Sequence, residues 1–163
     1  MDYAGSTLFI GAGATLATDL WALARRRLSG MPVPDWGLVG RWFGHMARGR
    51  FRHERIATAA PVRGERVIGW TAHYLIGIAF AGGLLAICGL AWTRQPTLAP
   101  ALMLGIATVT APFLLMQPGM GAGIAASRTA RPNSARLQSL VTHTVFGLGL
   151  YAAGLVLKLL SGE

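Results

Sequence analysis

The stretch VIGWTAHYLIGIAFAGGLLAICGLAW, Val67–Trp92, decides the fold class. It contains no Asp, Glu, Lys or Arg, and it is long enough to cross about 30 Å of hydrocarbon at about 1.5 Å per residue. In lipid every backbone N–H and C=O must be satisfied within its own segment, so such a stretch reads as a membrane-spanning helix. Three further blocks share its character: about 4–24, which stops at Arg25, Arg26 and Arg27; about 97–117, which begins after Pro96; and about 137–160. A transmembrane β-barrel would need short segments of alternating polarity, and none occur. The expected fold is all-α: one domain over 1–163, an integral membrane four-helix bundle.

Composition agrees. The 163 residues are 53% hydrophobic and 13% charged, far from the roughly one-quarter charged of a soluble domain. The formal net charge of +9 is explained by arginines between the apolar blocks, and no recognition module accompanies it, so nucleic acid is not an expected partner. The single cysteine, Cys88, excludes an intrachain disulfide and a multi-cysteine metal site. The start, MDYAGSTLF, lacks the basic region of a secretory signal, so the first block is expected to be retained.

The arginines also give an orientation. The connection 25–66 carries ten Arg against Asp35, Glu54 and Glu65, and the third connection carries Arg128, Arg131 and Arg136 without an acid. The opposite ends carry only Asp2, Arg94, Lys158 and Glu163. Positively charged loops remain inside, which places both termini on the periplasmic or exterior side. Within 25–66, Trp36, Trp42 and Phe43 alternate with Arg41, Arg48 and Arg50. That mixture predicts a short amphipathic helix on the cytoplasmic leaflet, its rings at the boundary and its arginines on anionic lipid headgroups. His45 and His53 lie in the same basic connection and are expected to be solvated or headgroup-facing.

Four polar side chains interrupt the spans: Asp19, His73, Gln117 and His143. Asp19 precedes Arg25 by six residues, while His73 follows Arg66 by seven and His143 follows Arg136 by seven. All three therefore sit roughly 10 Å inside the cytoplasmic boundary. His73 precedes Gly77 by four positions, as His143 precedes Gly147, and ATLATDL in the first block resembles ATVTAPF in the third. Two helical hairpins related by a pseudo-twofold axis along the membrane normal would give this pattern. Small residues on the same faces, Gly11 and Thr15 beside Asp19, favour placement inside the bundle. Pro112 and Pro118 are expected to kink or end the third helix, and the glycines of QPGMGAGIAAS resemble a nucleotide loop only superficially, because no strand precedes them.

The constellation has several readings. As a binding or permeation site, Asp19 is the anionic partner for a proton, ion or small cationic solute, with His73 and His143 titrating near neutrality and Gln117 nearby. As a metal centre, Asp19, His73 and His143 match a facial-triad donor set, and paired histidines at equal depth suit haem, although no HxxxH spacing supports either cofactor. Catalysis on a lipid-like substrate lacks a nucleophile motif, so an enzyme is not the favoured reading. The structural alternative is that these groups only fix helix register. The glycine content further predicts a homodimer or higher oligomer.

The ordered motifs ATDLWALARRRL, VGRWFGHMARGRFRH, HYLIGIAFA, QPTLAPAL, APFLLMQPGMGAGIAASRT and LVTHTVFGLGLY resemble a family of uncharacterised bacterial inner-membrane proteins of the domain of unknown function 2938 type. The resemblance covers almost the whole chain. It implies a multi-pass membrane protein of about four helices, and it carries over no activity, cofactor or site residue.

Overall fold

The computed structural model describes residues 1–162. Among these the chain is entirely helical, with no strand. Four helices are long and apolar enough to cross a membrane.

Helix α1, Tyr3–Ser29, is started by the Asp2 carboxylate, which accepts the Gly5 N–H at 2.8 Å. It ends at Gly30, whose φ of 68° lets its N–H turn back to the Arg26 carbonyl. The helix therefore runs through the three arginines rather than stopping before them. Arginine is a good helix former, and Arg26 and Arg27 in the last turn complement the helix dipole. Helix α2, Trp36–Met46, occupies the expected place in the first connection, with Asp35 capping the Gly37 N–H. Helix α3, Glu65–Cys88, ends four residues before the expected Trp92, because Gly89 leaves the helical region at φ 75°. The following turn, Leu90–Thr93, folds Trp92 into the core instead.

Helix α4, Leu98–Met120, is regular only in part. After Leu98–Ala107 a turn at Thr108 and Val109 leads to π-helical geometry over Pro112–Met116, in which the Gln117 N–H donates to the Pro112 carbonyl. Proline has no N–H for the Thr108 carbonyl, and its ring pushes the chain out of register. The helix passes Pro118 and stops at Gly121, φ 95°. Helix α5, Pro132–Ser161, begins five residues earlier than expected, with proline at its first position, where a missing N–H costs nothing.

The chain forms two compact units. The first comprises Met1–Val33, Tyr74–Thr108 and the chain from Val141 on. In it, segments of α1, α3, α4 and α5 form a four-helix bundle around Ile10, Ala14, Ala81, Leu84, Leu85, Trp92, Phe146, Leu150 and Leu157. Glycines set the crossings. A methyl on Gly11 or Gly77 would overlap the facing helix at Ile78 or Thr15, and one on Gly105 or Gly147 would overlap Gly147 or Leu102. The α1–α3 and α4–α5 hairpins thus both close at the glycine four residues after the histidine. Small residues at such crossings let the backbones approach closely, and that contact supplies van der Waals packing. The outer faces are apolar: Leu8, Leu16, Leu20 and Leu23 on α1, and Leu148, Val156 and Leu159 on α5, are all exposed.

The second unit comprises Pro34–His73 and Val109–Leu140. Here α2 lies across the first turns of α3, with Gly40 against the Glu65 carbonyl and Gly69 against the Trp36 carbonyl, so that no side chain fits at either position. Arg41 grips Glu65 in a two-pronged ion pair, Nε to Oε2 and Nη2 to Oε1, both 2.8 Å. Its Nη1 donates to the Ala57 and Ala59 carbonyls at 3.2 and 3.1 Å, tying the connection to α2. Trp42 is buried on Gly119 and donates to the Phe51 carbonyl at 2.9 Å. Trp42 and Arg41 were expected to face headgroups; folding instead turns Trp42 into the core of this unit and spends Arg41 on an internal ion pair. Arg48 and Arg50 are exposed, and Trp36 and Phe43 are half-buried.

Candidate functional site

Each of the four polar residues that interrupt the long apolar helices meets a specific neighbour. In the first unit, the Tyr74 hydroxyl donates to Asp19 Oδ2 at 3.0 Å, bridging α1 and α3. The helix turn before Asp19 satisfies itself, Thr15 donating to the Gly11 carbonyl at 2.8 Å and Thr18 to the Thr15 carbonyl at 2.7 Å.

His143 is held by Thr108. The Thr108 hydroxyl donates to the Gly105 carbonyl at 2.6 Å and lies 2.9 Å from His143 Nδ1. A hydroxyl has one proton, and here it is committed to the carbonyl. The threonine oxygen must therefore accept from His143 Nδ1–H. This network assigns the Nδ1–H tautomer to the neutral ring and leaves Nε2 with the lone pair for a proton or ligand. Thr108 also stands at the point where α4 loses its regular hydrogen bonding, one turn before Pro112.

In the second unit, His73 stacks on Trp36, ring centroids 3.7 Å apart and planes 22° apart, with Trp70 at 5.9 Å. The Gln117 amide donates to Ser139 Oγ at 3.4 Å, while its Oε1 is buried without a partner. Tyr74, Thr108 and Ser139 were not singled out from the sequence. Thr108 was legible in principle, since the ATLATDL and ATVTAPF repeats align it with Thr15, and Tyr74 directly follows His73.

His45 and His53 require a correction. Both are buried, 7% exposed each, rather than solvated or turned to headgroups. Their rings meet edge to face at 5.0 Å. His45 Nε2 is 2.9 Å from the Ala60 carbonyl, and His53 is anchored to Gly119 by its backbone N–H at 2.9 Å and more loosely by Nδ1 at 3.4 Å. His53 Nε2 is buried without a partner. Burial pushes the His53 imidazole below its ordinary range, the Gly119 carbonyl opposes this in part, and Arg50 and His45 add to the depression.

Among the described residues no group of three or more His, Cys, Asp or Glu side chains is placed to hold a metal ion. The facial-triad reading therefore gains no support from the geometry.

A family model for a protein of unknown function, DUF2938, matches residues 8–157. The chain belongs to the DUF2938 family. No curated protein and no solved structure matches it. The match takes in every residue of the Asp19–Tyr74 and Thr108–His143 pairs, so both lie within the DUF2938 domain itself.

Proposed function

We propose that this DUF2938 protein is an integral membrane protein that binds or passes a proton, ion or small cationic solute at Asp19 and His143, close to the cytoplasmic face of a bacterial inner membrane. The observation that carries the reading is the Asp19 carboxylate, set in an apolar helix and hydrogen-bonded by Tyr74. A carboxylate at mid-membrane costs about 2.5–3.5 kcal/mol on insertion scales. An interhelical hydrogen bond in a membrane returns on average about 0.6 kcal/mol. Packing alone is a poor reason to keep the acid. His143, held through Nδ1 by Thr108, supplies a second exchangeable position. Both termini face the periplasm, and Arg48 and Arg50 meet anionic headgroups.

The competing reading is a structural subunit in which the same groups fix register; the glycine crossings of the first unit favour it. Proton flux separates the two. In sealed vesicles with an entrapped pH-sensitive dye and an imposed potential, the wild-type protein should acidify the lumen, and Asp19→Asn, which keeps the hydrogen bond but loses the charge, should abolish this. Absence of flux in the wild type, or equal flux in the variant, would leave the structural reading standing.

A further inference from the structure

We propose that a second site, for a phosphate-type anion, lies in the second unit, where residues 54–57 face residues 120–122. A cavity of about 360 Å³ opens there, lined by Glu54, Arg55, Met120, Gly121 and Arg128 among others. It shares no residue with the Asp19 and His143 site. Binding pockets for small molecules run from about 300 to 1,000 Å³, so this volume suits one phosphate-bearing headgroup rather than a dinucleotide.

The walls are built with some care. Gly121, φ 95°, lies so close to the Glu54 carbonyl that any side chain would collide with it. At Gly123, φ 76°, a methyl would stand 2.9 Å from Arg128 Cγ, so glycine there lets the arginine stem fold back over the turn. The turn is closed by the Arg128 N–H donating to the Ala122 carbonyl at 2.8 Å. Between them Ala125 and Ala126 adopt left-handed conformations, φ 46° and 58°, which alanine rarely takes. Arg136 holds that shape, Nε to the Ala125 carbonyl at 2.8 Å. Strain maintained by a dedicated arginine calls for a function, and its effect here is to return Arg128 to the cavity rim.

The charge selects the ligand. Arg55 and Arg128 are exposed, and among the described residues neither forms an ion pair. Two guanidinium groups around one concavity recognise phosphate oxygens by charge-assisted hydrogen bonds. The single opposing carboxylate, Glu54, leaves the rim net positive and disfavours polyphosphates. The shared chemistry is a monophosphate group, carried by a lipid headgroup or free in solution.

The test uses the full-length protein in neutral detergent, with dihexanoyl phosphatidic acid followed by native mass spectrometry and inorganic phosphate by calorimetry. The wild type should bind the lipid at one saturable site. Arg55→Gln with Arg128→Gln should weaken it about tenfold or more, with helix content unchanged. Arg26→Gln with Arg27→Gln, which removes the same charge from exposed positions elsewhere in the connection, should leave it intact. Competition by inorganic phosphate would assign the site to the free anion, and lipid binding without competition would assign it to a headgroup. No binding of either probe, an unaffected Arg55 and Arg128 double variant, or equal weakening by the Arg26 and Arg27 pair would overturn the proposal.

Discussion

At the scale of single residues, His53 makes the clearest pH prediction. Its folded-state affinity for a proton is reduced by burial, against an ordinary value of 6.5, so the unfolded segment binds the proton more readily. The contribution of His53 to stability is then full above that value and is lost as pH falls below it. Arg50 and His45 face the ring, while Gly119 opposite brings only a carbonyl. The protection factors of residues 50–60, which are exchange rates corrected for the intrinsic slowing in acid, should fall on acidification in the wild type and lose that dependence in His53→Gln. Unchanged protection in the wild type across this range would remove the prediction. The crossing glycines give a second contrast. Gly77→Ala should destabilise by about 1–3 kcal/mol, since the new methyl meets Thr15. Gly83→Ala finds open space and should be neutral or stabilising by up to about 1 kcal/mol. Thermal unfolding in detergent compares the two; equal midpoints would show that the crossing is looser than described.

Among the elements, α2 depends on one ion pair. Arg41 and Glu65 side chains are 13% and 22% exposed, and the arginine makes four hydrogen bonds that join α2, the connection and α3. Hydrogen bonds to charged groups contribute about 1.5–3 kcal/mol, so Arg41→Ala should release residues 54–62 to limited proteolysis. Arg41→Lys should rescue only in part, because an ammonium cannot reproduce the fork. Full protease resistance in Arg41→Ala would place the stability of α2 in its glycine contacts instead. Element boundaries show where sequence reading fell short. Hydropathy marks the edge of an apolar slab, whereas helices end where the backbone finds a cap. Hence α1 continues past its arginines to Gly30, and α3 stops at Gly89 inside an unbroken apolar run.

For the molecule as a whole, the number and order of long helices were legible because lipid-spanning length is a property of one contiguous segment. The histidine–glycine repeat was legible too, and the two glycines proved to be crossing points. The second unit was not. His45 and His53 sit among arginines in the chain and read as solvated, yet His53 is buried by Gly119, 66 residues away. Trp42 was misread for the same reason, its packing partner being that same glycine. Such pairings carry no local signal. The exposed apolar faces of the four long helices give the membrane reading its physical basis: Leu16, Leu20, Leu75, Leu114, Leu115 and Leu140 would contact water in a soluble fold. We further expect these faces to support a homodimer, to be read as a doubled mass in native mass spectrometry.

We propose that Asp19 lies inside the membrane yet is reachable by water from the cytoplasmic side. Asp19→Cys in a Cys88→Ser background, probed with a membrane-impermeant thiol reagent, tests this directly in right-side-out and inverted vesicles. Labelling is predicted in inverted vesicles only. Labelling from the exterior, or from neither side, would contradict it.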